Sequence, residues 1–142
     1  DVLHNLGDGS FSLWFKPGNV SLSSQKILSM HSNEFELFFP TDNTIAFSLY
    51  TGDNINFPTV VSNEINFIDR WYHVGVTWGS DAGINLYIDG VKQDDSDEFS
   101  GPLSENLAAT LDYNLIMGSM STGSMGNNFD GYIDNFLLWD IS

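Results

Sequence analysis

Residues 70–91 constrain the fold of this chain more than any other segment. Apolar and polar side chains alternate over residues 72–78 and again over 84–88, a period of two that is typical of half-buried strands. A polar, glycine-bounded loop connects the two segments, and Asp89 and Gly90 follow the second one. Both residues tolerate the positive φ angles that a type I′ hairpin turn requires. The segment is therefore predicted to be an antiparallel meander with one apolar face, which a second layer must cover.

The rest of the chain repeats this pattern of short strands separated by turns rich in Gly, Pro and Asn. The alternation predicts strands at residues 10–16, 26–31, 34–39, 44–51, 113–118 and 129–139. In the last of these the phase of the alternation changes, which predicts a β-bulge near Asp134 and Asn135. Only residues 103–111 could hold a helical turn or two, so the predicted fold class is all-β. The expected architecture is a two-sheet antiparallel jelly-roll sandwich.

The composition limits the classes of function that the chain can have. Its 142 residues suit one domain, and 42% hydrophobic residues argue against disorder. The net charge of −15 makes nucleic acid and anionic membrane surfaces poor partners, and no apolar run is long enough for membrane insertion. The absence of cysteine excludes disulfides, zinc–thiolate sites and thiol catalysis. The excess of carboxylates fits a saline habitat, calcium binding or simple solubility.

Four segments, in chain order, resemble the laminin-G/pentraxin-like group of the concanavalin A-like lectin/glucanase superfamily. They are residues 11–16 (FSLWFK), 70–74 (RWYHV), 86–90 (LYIDG) and 131–136 (GYIDNF). The resemblance covers essentially the whole chain and implies a concanavalin A-like jelly roll. It also implies a carbohydrate- or protein-binding module, extracellular or at the cell surface. Because the chain begins at Asp1 without a Met, we expect residues 1–142 to be one such domain cut from a larger protein.

A calcium site is expected from this resemblance at Asp134. In laminarinase- and lichenase-like relatives, an Asp at this place in the last strand joins carbonyls near the N-terminus around a structural ion. The matching N-terminal residues here are Asp8 and Gly9. Calcium prefers carboxylate and carbonyl oxygens, which such a set would supply. The alternative is that Asp134 accepts hydrogen bonds from backbone amides at a break in the strand.

Two tryptophans are candidates for sugar recognition. The alternation predicts that Trp14 and Trp139 point away from the core, and first and last strands commonly pair in this fold. The two side chains are therefore expected to form an exposed aromatic patch that stacks on a sugar ring. The alternatives are a contact with another domain or subunit, or burial under a loop. Trp71 and Trp78 are interpreted as packing residues at the margins of the sheets.

Polar residues in loops are further candidates, because laminin-G modules of another type hold calcium at a rim of loops with Asp and Asn side chains. The candidates that this resemblance suggests are Asn33, Asp81, Asn127 and Asn128. No strand carries the paired carboxylates that glycosidases of this fold use, and residues 94–98 (DDSDE) are interpreted as a solvated acidic loop. An enzyme is therefore not expected.

Three functional hypotheses follow from these features. The first is a non-catalytic module that binds a polysaccharide or glycoprotein glycan, with Ca²⁺ as a structural or ligand-bridging cofactor. The second is a laminin-G-type module for protein interaction or adhesion. The third is a domain of a glycoside hydrolase or polysaccharide lyase. A groove lined with aromatic rings would favour the first hypothesis.

Overall fold

Two antiparallel sheets of five strands each form the framework of the molecule. A computed structural model describes residues 8–18, 21–30, 35–49, 58–79, 83–93, 115–119 and 127–140. The strands are β1 (Gly9–Pro17), β2 (Lys26–Met30), β3 (Phe35–Thr41), β4 (Thr44–Leu49), β5 (Thr59–Val61), β6 (Tyr72–Gly79), β7 (Gly83–Ile88), β8 (Val91–Lys92), β9 (Ile116–Met117) and β10 (Gly131–Asp140). Within these ranges no helix is long and apolar enough to cross a membrane. Residues 94–98 and 103–111, which carry the predicted acidic loop and helical turn, lie outside the described residues.

The strand order follows the pattern of the sequence. Sheet A has the order β10-β1-β6-β7-β8, and sheet B has the order β5-β4-β3-β2-β9. The β6-β7-β8 meander is confirmed, and its turn has positive φ angles at Asp89 (50°) and Gly90 (79°). The bulge is confirmed as well, because the register of β1 against β10 shifts between Ser12 and Trp14, where Asn135 has a φ of 51°. The predicted all-β sandwich is therefore the observed fold.

The core consists of the apolar faces of the two sheets. Phe11 and Trp78 of sheet A contact the rings of Phe35 and Phe47 of sheet B, with ring centroids 4.9–6.3 Å apart within this group. The inward residues of the meander are also buried, namely Val74, Val76, Leu86 and Ile88. Each large apolar side chain buried in this way contributes about 1.5–3 kcal/mol relative to an exposed one. The packing therefore leaves the outer faces of the sheets and the loops for recognition.

The outer face of sheet B differs from an ordinary solvated face because its polar side chains are buried. Ser29, Glu36, Ser48 and Thr59 lie opposite one another across β2, β3, β4 and β5. The first three are at most 7% exposed. Lys26 Nζ lies 2.5 Å from Glu36 Oε2, and the Ser48 and Thr59 hydroxyl oxygens are 2.6 Å apart. Within the part of the chain that the structure describes, Glu36 Oε1 has no hydrogen-bond partner.

The turn between β3 and β4 contains a carboxylate whose ionisation stabilises the fold. The Ser21 hydroxyl donates a hydrogen bond to Asp42 Oδ1 (2.7 Å), and the Ser23 N–H donates a second one (2.9 Å). These bonds, the Ser21 bond above all, hold the pKa of Asp42 below its ordinary value of 3.8. Because the folded pKa is the lower one, this stabilisation is complete above pH 3.8 and is lost as the pH falls through the folded pKa.

We therefore expect the D42N variant to lose less stability than the wild type when the pH is lowered below 3.8. The asparagine oxygen can still accept both hydrogen bonds, but it does not titrate in this range. Urea unfolding at a series of pH values measures the difference, and all other carboxylates serve as a common background. Parallel stability curves for the two proteins would contradict the assignment.

Candidate functional site

The outer face of sheet A exposes a group of large apolar side chains. Residues directly opposite each other in an antiparallel pair share one face of the sheet. Trp14 of β1 and Trp139 of β10 point outward, as the alternation predicts, and are 40% and 46% exposed. The other outward side chains of the group come from β6, the residue before it, and β10. We call the whole group the aromatic face: Trp14, Trp71, His73, Tyr132, Leu137 and Trp139.

The centre of the aromatic face is an indole between a carboxylate and an imidazole. Trp14 lies opposite Asp134 on one side and His73 on the other. The rings of Trp14 and His73 are 5.1 Å apart at an angle of 56°. The His73 N–H donates to Asp89 Oδ1 (2.9 Å), and the Asp89 N–H donates to the His73 carbonyl (2.8 Å), which fixes the backbone here. The indole therefore lies beside two groups that can exchange hydrogen bonds with a ligand.

A second aromatic pair lies at one end of the face. Tyr132 lies opposite Lys16, and its ring is 6.4 Å from that of Trp71. The Arg70 guanidinium donates to the Trp71 carbonyl (2.9 Å), which fixes the backbone beside the indole. The two cations at this end are both paired, Lys16 with Asp69 at 2.8 Å and Arg70 with Asp89 at 3.0 Å. These ion pairs are exposed, so they orient the end of the face more than they stabilise the fold.

Trp139 lies at the other end of the face, apart from Trp14. It is opposite Ser10, four residues along β1 from Trp14, which corresponds to about 13 Å. Ser12 and Gly75 occupy the space between, with Leu137 beside them. A Cβ added at Gly75 would contact only the Cβ of Tyr87, at 3.9 Å. Small residues therefore separate the two tryptophans, so both rings are exposed, as expected, but they are not adjacent.

The loop residues predicted to bind a ligand lie elsewhere or outside the described residues. The Asn127 carbonyl accepts a hydrogen bond from the Lys26 N–H (2.9 Å), and Asn128 Oδ1 accepts one from the Ser119 hydroxyl (2.8 Å). Both asparagines therefore adjoin β2 and β9 of sheet B, and the fold does not place them on the aromatic face. Asn33 and Asp81 are not among the described residues.

The residues predicted to hold one calcium ion are not brought together. Gly9 lies opposite Asp140 and is five positions along β1 from Trp14, the residue opposite Asp134. This corresponds to about 17 Å, so Asp134 cannot share an ion with Asp8 and Gly9. Asp134 Oδ1 instead accepts a hydrogen bond from the Asn135 N–H (2.8 Å), which is the alternative left open by the sequence. Among the described residues no three His, Asp or Glu side chains cluster as a metal site would require. Calcium binding stays a prediction.

The sequence as a whole matches a family model described as the concanavalin A-like lectin/glucanases superfamily, over residues 1–142. The chain belongs to this superfamily. The match confirms the laminin-G-like resemblance that the four segments indicated. No curated protein is detectably similar to the domain in sequence.

Solved structures with the same fold come from several kinds of protein. The Ruminococcus gnavus IT-sialidase CBM40 bound to α2,3 sialyllactose has a TM-score of 0.68 and 16% identity, over 98% of this domain and 79% of that chain. Domains LG4-5 of the mouse laminin α1 chain have a TM-score of 0.65 and 13% identity, over 94% of this domain and 36% of that chain. Botulinum neurotoxin type C, whose cell entry depends on interaction with two ganglioside molecules, has a TM-score of 0.61 and 16% identity, over 94% of this domain and 32% of that chain. At these identities the likeness shows the fold alone.

Proposed function

We propose that this domain is a non-catalytic glycan-binding module and that the aromatic face is its binding site. The observation that carries the proposal is the exposed Trp14 indole, held between Asp134 and His73, with Tyr132 and Trp71 at one end. The ligand is a polysaccharide or a glycoprotein glycan. The site acts outside the cell or at its surface, where such glycans are found.

The chemistry of the face suits a sugar ring. The apolar C–H groups of a pyranose stack on an aromatic ring, and planar polar groups beside that ring exchange hydrogen bonds with the hydroxyls. The indole, the carboxylate of Asp134 and the imidazole of His73 provide such a set. Because strands β1, β6 and β10 hold these side chains, little conformational entropy is lost on binding.

Two structural relatives support the proposal without showing it. The Ruminococcus gnavus module was solved with sialyllactose, and botulinum neurotoxin type C interacts with two ganglioside molecules. Both ligands are glycans or carry them. The jelly roll of this domain therefore occurs in a module solved with a glycan, and it matches 32% of the chain of a toxin that interacts with gangliosides, although fold alone does not determine function.

The two carboxylates nearest to Trp14 and His73 do not suit hydrolysis. Glycosidases need a pair of carboxyl groups that are free to act as acid and as base or nucleophile. Asp89 has both of its oxygens engaged, because Oδ1 accepts a hydrogen bond from the His73 N–H (2.9 Å) and Oδ2 pairs with Arg70 at 3.0 Å. This geometry supports binding without covalent chemistry.

Protein recognition is the second candidate function, and the far end of the face favours it. Leu137 is 52% exposed beside Trp139, and the residues opposite them are only Ser12 and Ser10. This end is apolar, as the core of a protein interface is. A botulinum neurotoxin binding domain solved with rat synaptotagmin II, which this domain matches over 33% of that chain, supports this candidate.

Replacing Trp14 with alanine is expected to weaken glycan binding by about tenfold or more, or ~1.4 kcal/mol, because the stacking surface is lost. The W14F variant keeps an aromatic ring and should retain most of the affinity. The measurement is binding to an array of immobilised glycans and polysaccharides, with circular dichroism to verify folding.

A matched control is Met117→Ala, which removes an exposed apolar side chain from β9 of sheet B. It should bind as the wild type does. The proposal fails if W14A binds as well as the wild type, or if the array shows no binding at all.

A further inference from the structure

We infer that the aromatic face selects uncharged glycans and discriminates against glycans that carry carboxylated sugars. The inference rests on the proposed function and names the ligand class of the same site. It separates this domain from relatives solved with sialyllactose, because the charges around Trp14 favour a neutral ligand.

A negative charge lies beside the central ring. Asp134 is opposite Trp14, is exposed, and has its carboxylate oriented by the hydrogen bond from the Asn135 N–H. A sugar stacked on the indole would place its substituents within reach of this carboxylate. Hydroxyl groups would gain a charge-assisted hydrogen bond there. A ligand carboxylate would instead meet a like charge at a distance well inside the Debye length of about 8 Å.

The cations near the face are each neutralised by an aspartate. Lys16 is bound to Asp69 (2.8 Å) and Arg70 to Asp89 (3.0 Å). An acidic sugar would therefore meet ion pairs without net charge instead of free cations.

The two remaining cations are remote. Lys92 of β8 lies opposite Tyr87 of β7. It is at the other edge of sheet A, about 14 Å from β1. Lys26 is buried on sheet B and paired with Glu36. The whole chain carries a net charge of −15, so the field beyond these local groups also repels anions. Local and global electrostatics thus favour the same class of ligand.

Matched pairs of neutral and acidic glycans test the inference on the intact domain. The probes are lactose with α2,3-sialyllactose, dextran with carboxymethyl-dextran, and cellulose with carboxymethyl-cellulose, all immobilised. We expect the neutral member of any pair that binds to bind about tenfold more tightly at low salt. The preference should shrink as salt is added, because screening weakens the repulsion.

Two variants with the same change in charge show where the discrimination arises. D134N keeps the hydrogen-bond acceptor for the Asn135 N–H but removes the charge beside Trp14, and should reduce the preference several-fold. E64Q removes an exposed charge from the segment between β5 and β6, next to the turn at Asn43, and should leave the preference unchanged. Salt dependence in the wild type shows, without any variant, whether the discrimination is electrostatic.

The outcomes separate the inference from the proposed function. Tighter binding of neutral members supports both. Equal or tighter binding of the acidic members overturns the inference, while the proposed function stands. Equal effects of D134N and E64Q would also overturn the local role of Asp134. If neither member of any pair binds, the proposed function is overturned and the inference with it.

Discussion

The Glu36→Ala variant should unfold with a free energy about 3–5 kcal/mol lower than that of the wild type. Lys26 Nζ and Glu36 Oε2 form an ion pair in which the two side chains are only 10% and 4% exposed. Removing the carboxylate leaves a buried ammonium without its counter-ion, and the Phe38 ring, 4.8 Å away, replaces only a small part of that attraction. An unpaired buried charge is among the most destabilising changes that one substitution can cause. Urea unfolding followed by tryptophan fluorescence measures the loss.

A double replacement separates the destabilisation caused by an unpaired Lys26 charge from the net contribution of the ion pair to stability. Lys26→Met combined with Glu36→Leu fills a similar volume with apolar groups and should be close to the wild type in stability. A loss of less than about 1 kcal/mol in the single Glu36→Ala variant would contradict the prediction, because it would mean that water reaches Lys26.

The free energy of unfolding of the Phe47→Ala variant is expected to be about 3–5 kcal/mol lower than that of the wild type, because the substitution opens a cavity between the two sheets. The ring centroid of Phe47 lies 5.4 Å from that of Phe11 and 6.2 Å from that of Trp78, both in sheet A. It also lies 4.9 Å from the ring of Phe35 on the adjacent strand. The residue thus links the sheets as well as filling the core. Chemical denaturation of the purified domain gives the free energy.

Tyr132→Ala is the matched control for this change. It also removes an aromatic ring, but one that is 66% exposed, so its effect on stability should stay within about 0.5 kcal/mol. If the two variants lost similar amounts of stability, the aromatic rings packed between the two sheets would not be a main source of the stability of the domain.

The sheet architecture could be predicted because it depends on local patterns. Alternation over residues 72–78 and 84–88, with the turn at Asp89 and Gly90, was enough to predict the meander. The slip of phase in the last strand predicted the bulge at Asn135 in the same way. These signals lie within single strands or hairpins, so they can be read without knowing which distant strands pair.

Features that depend on long-range register could not be predicted in this way. Alternation indicates that Trp14 and Trp139 face outward, but only the pairing of β1 with β10 shows that about 13 Å separates them. The same register separates Asp134 from Gly9, which the resemblance had suggested as partners around one ion. The buried pair of Lys26 and Glu36 likewise follows from the pairing of β2 with β3.

One aromatic ring of the candidate site differs from the sequence prediction. Trp71, predicted to be a packing residue, is 40% exposed and contacts the Tyr132 ring. Trp78, for which the same role is predicted, is buried. The phase of the alternation could have distinguished them, because Trp71 directly precedes the inward-facing Tyr72, whereas Trp78 shares the inward phase with Val74 and Val76.

The four tryptophan indole N–H signals in a ¹H–¹⁵N NMR spectrum offer the most direct test of where a glycan binds. Three indoles belong to the aromatic face, while Trp78 lies in the core and serves as an internal reference. With a glycan that the array identifies as a ligand, the Trp14 signal should shift most and the Trp78 signal should stay in place. If all four indole signals stay unchanged while backbone amides of sheet B shift, the aromatic face is not the binding site.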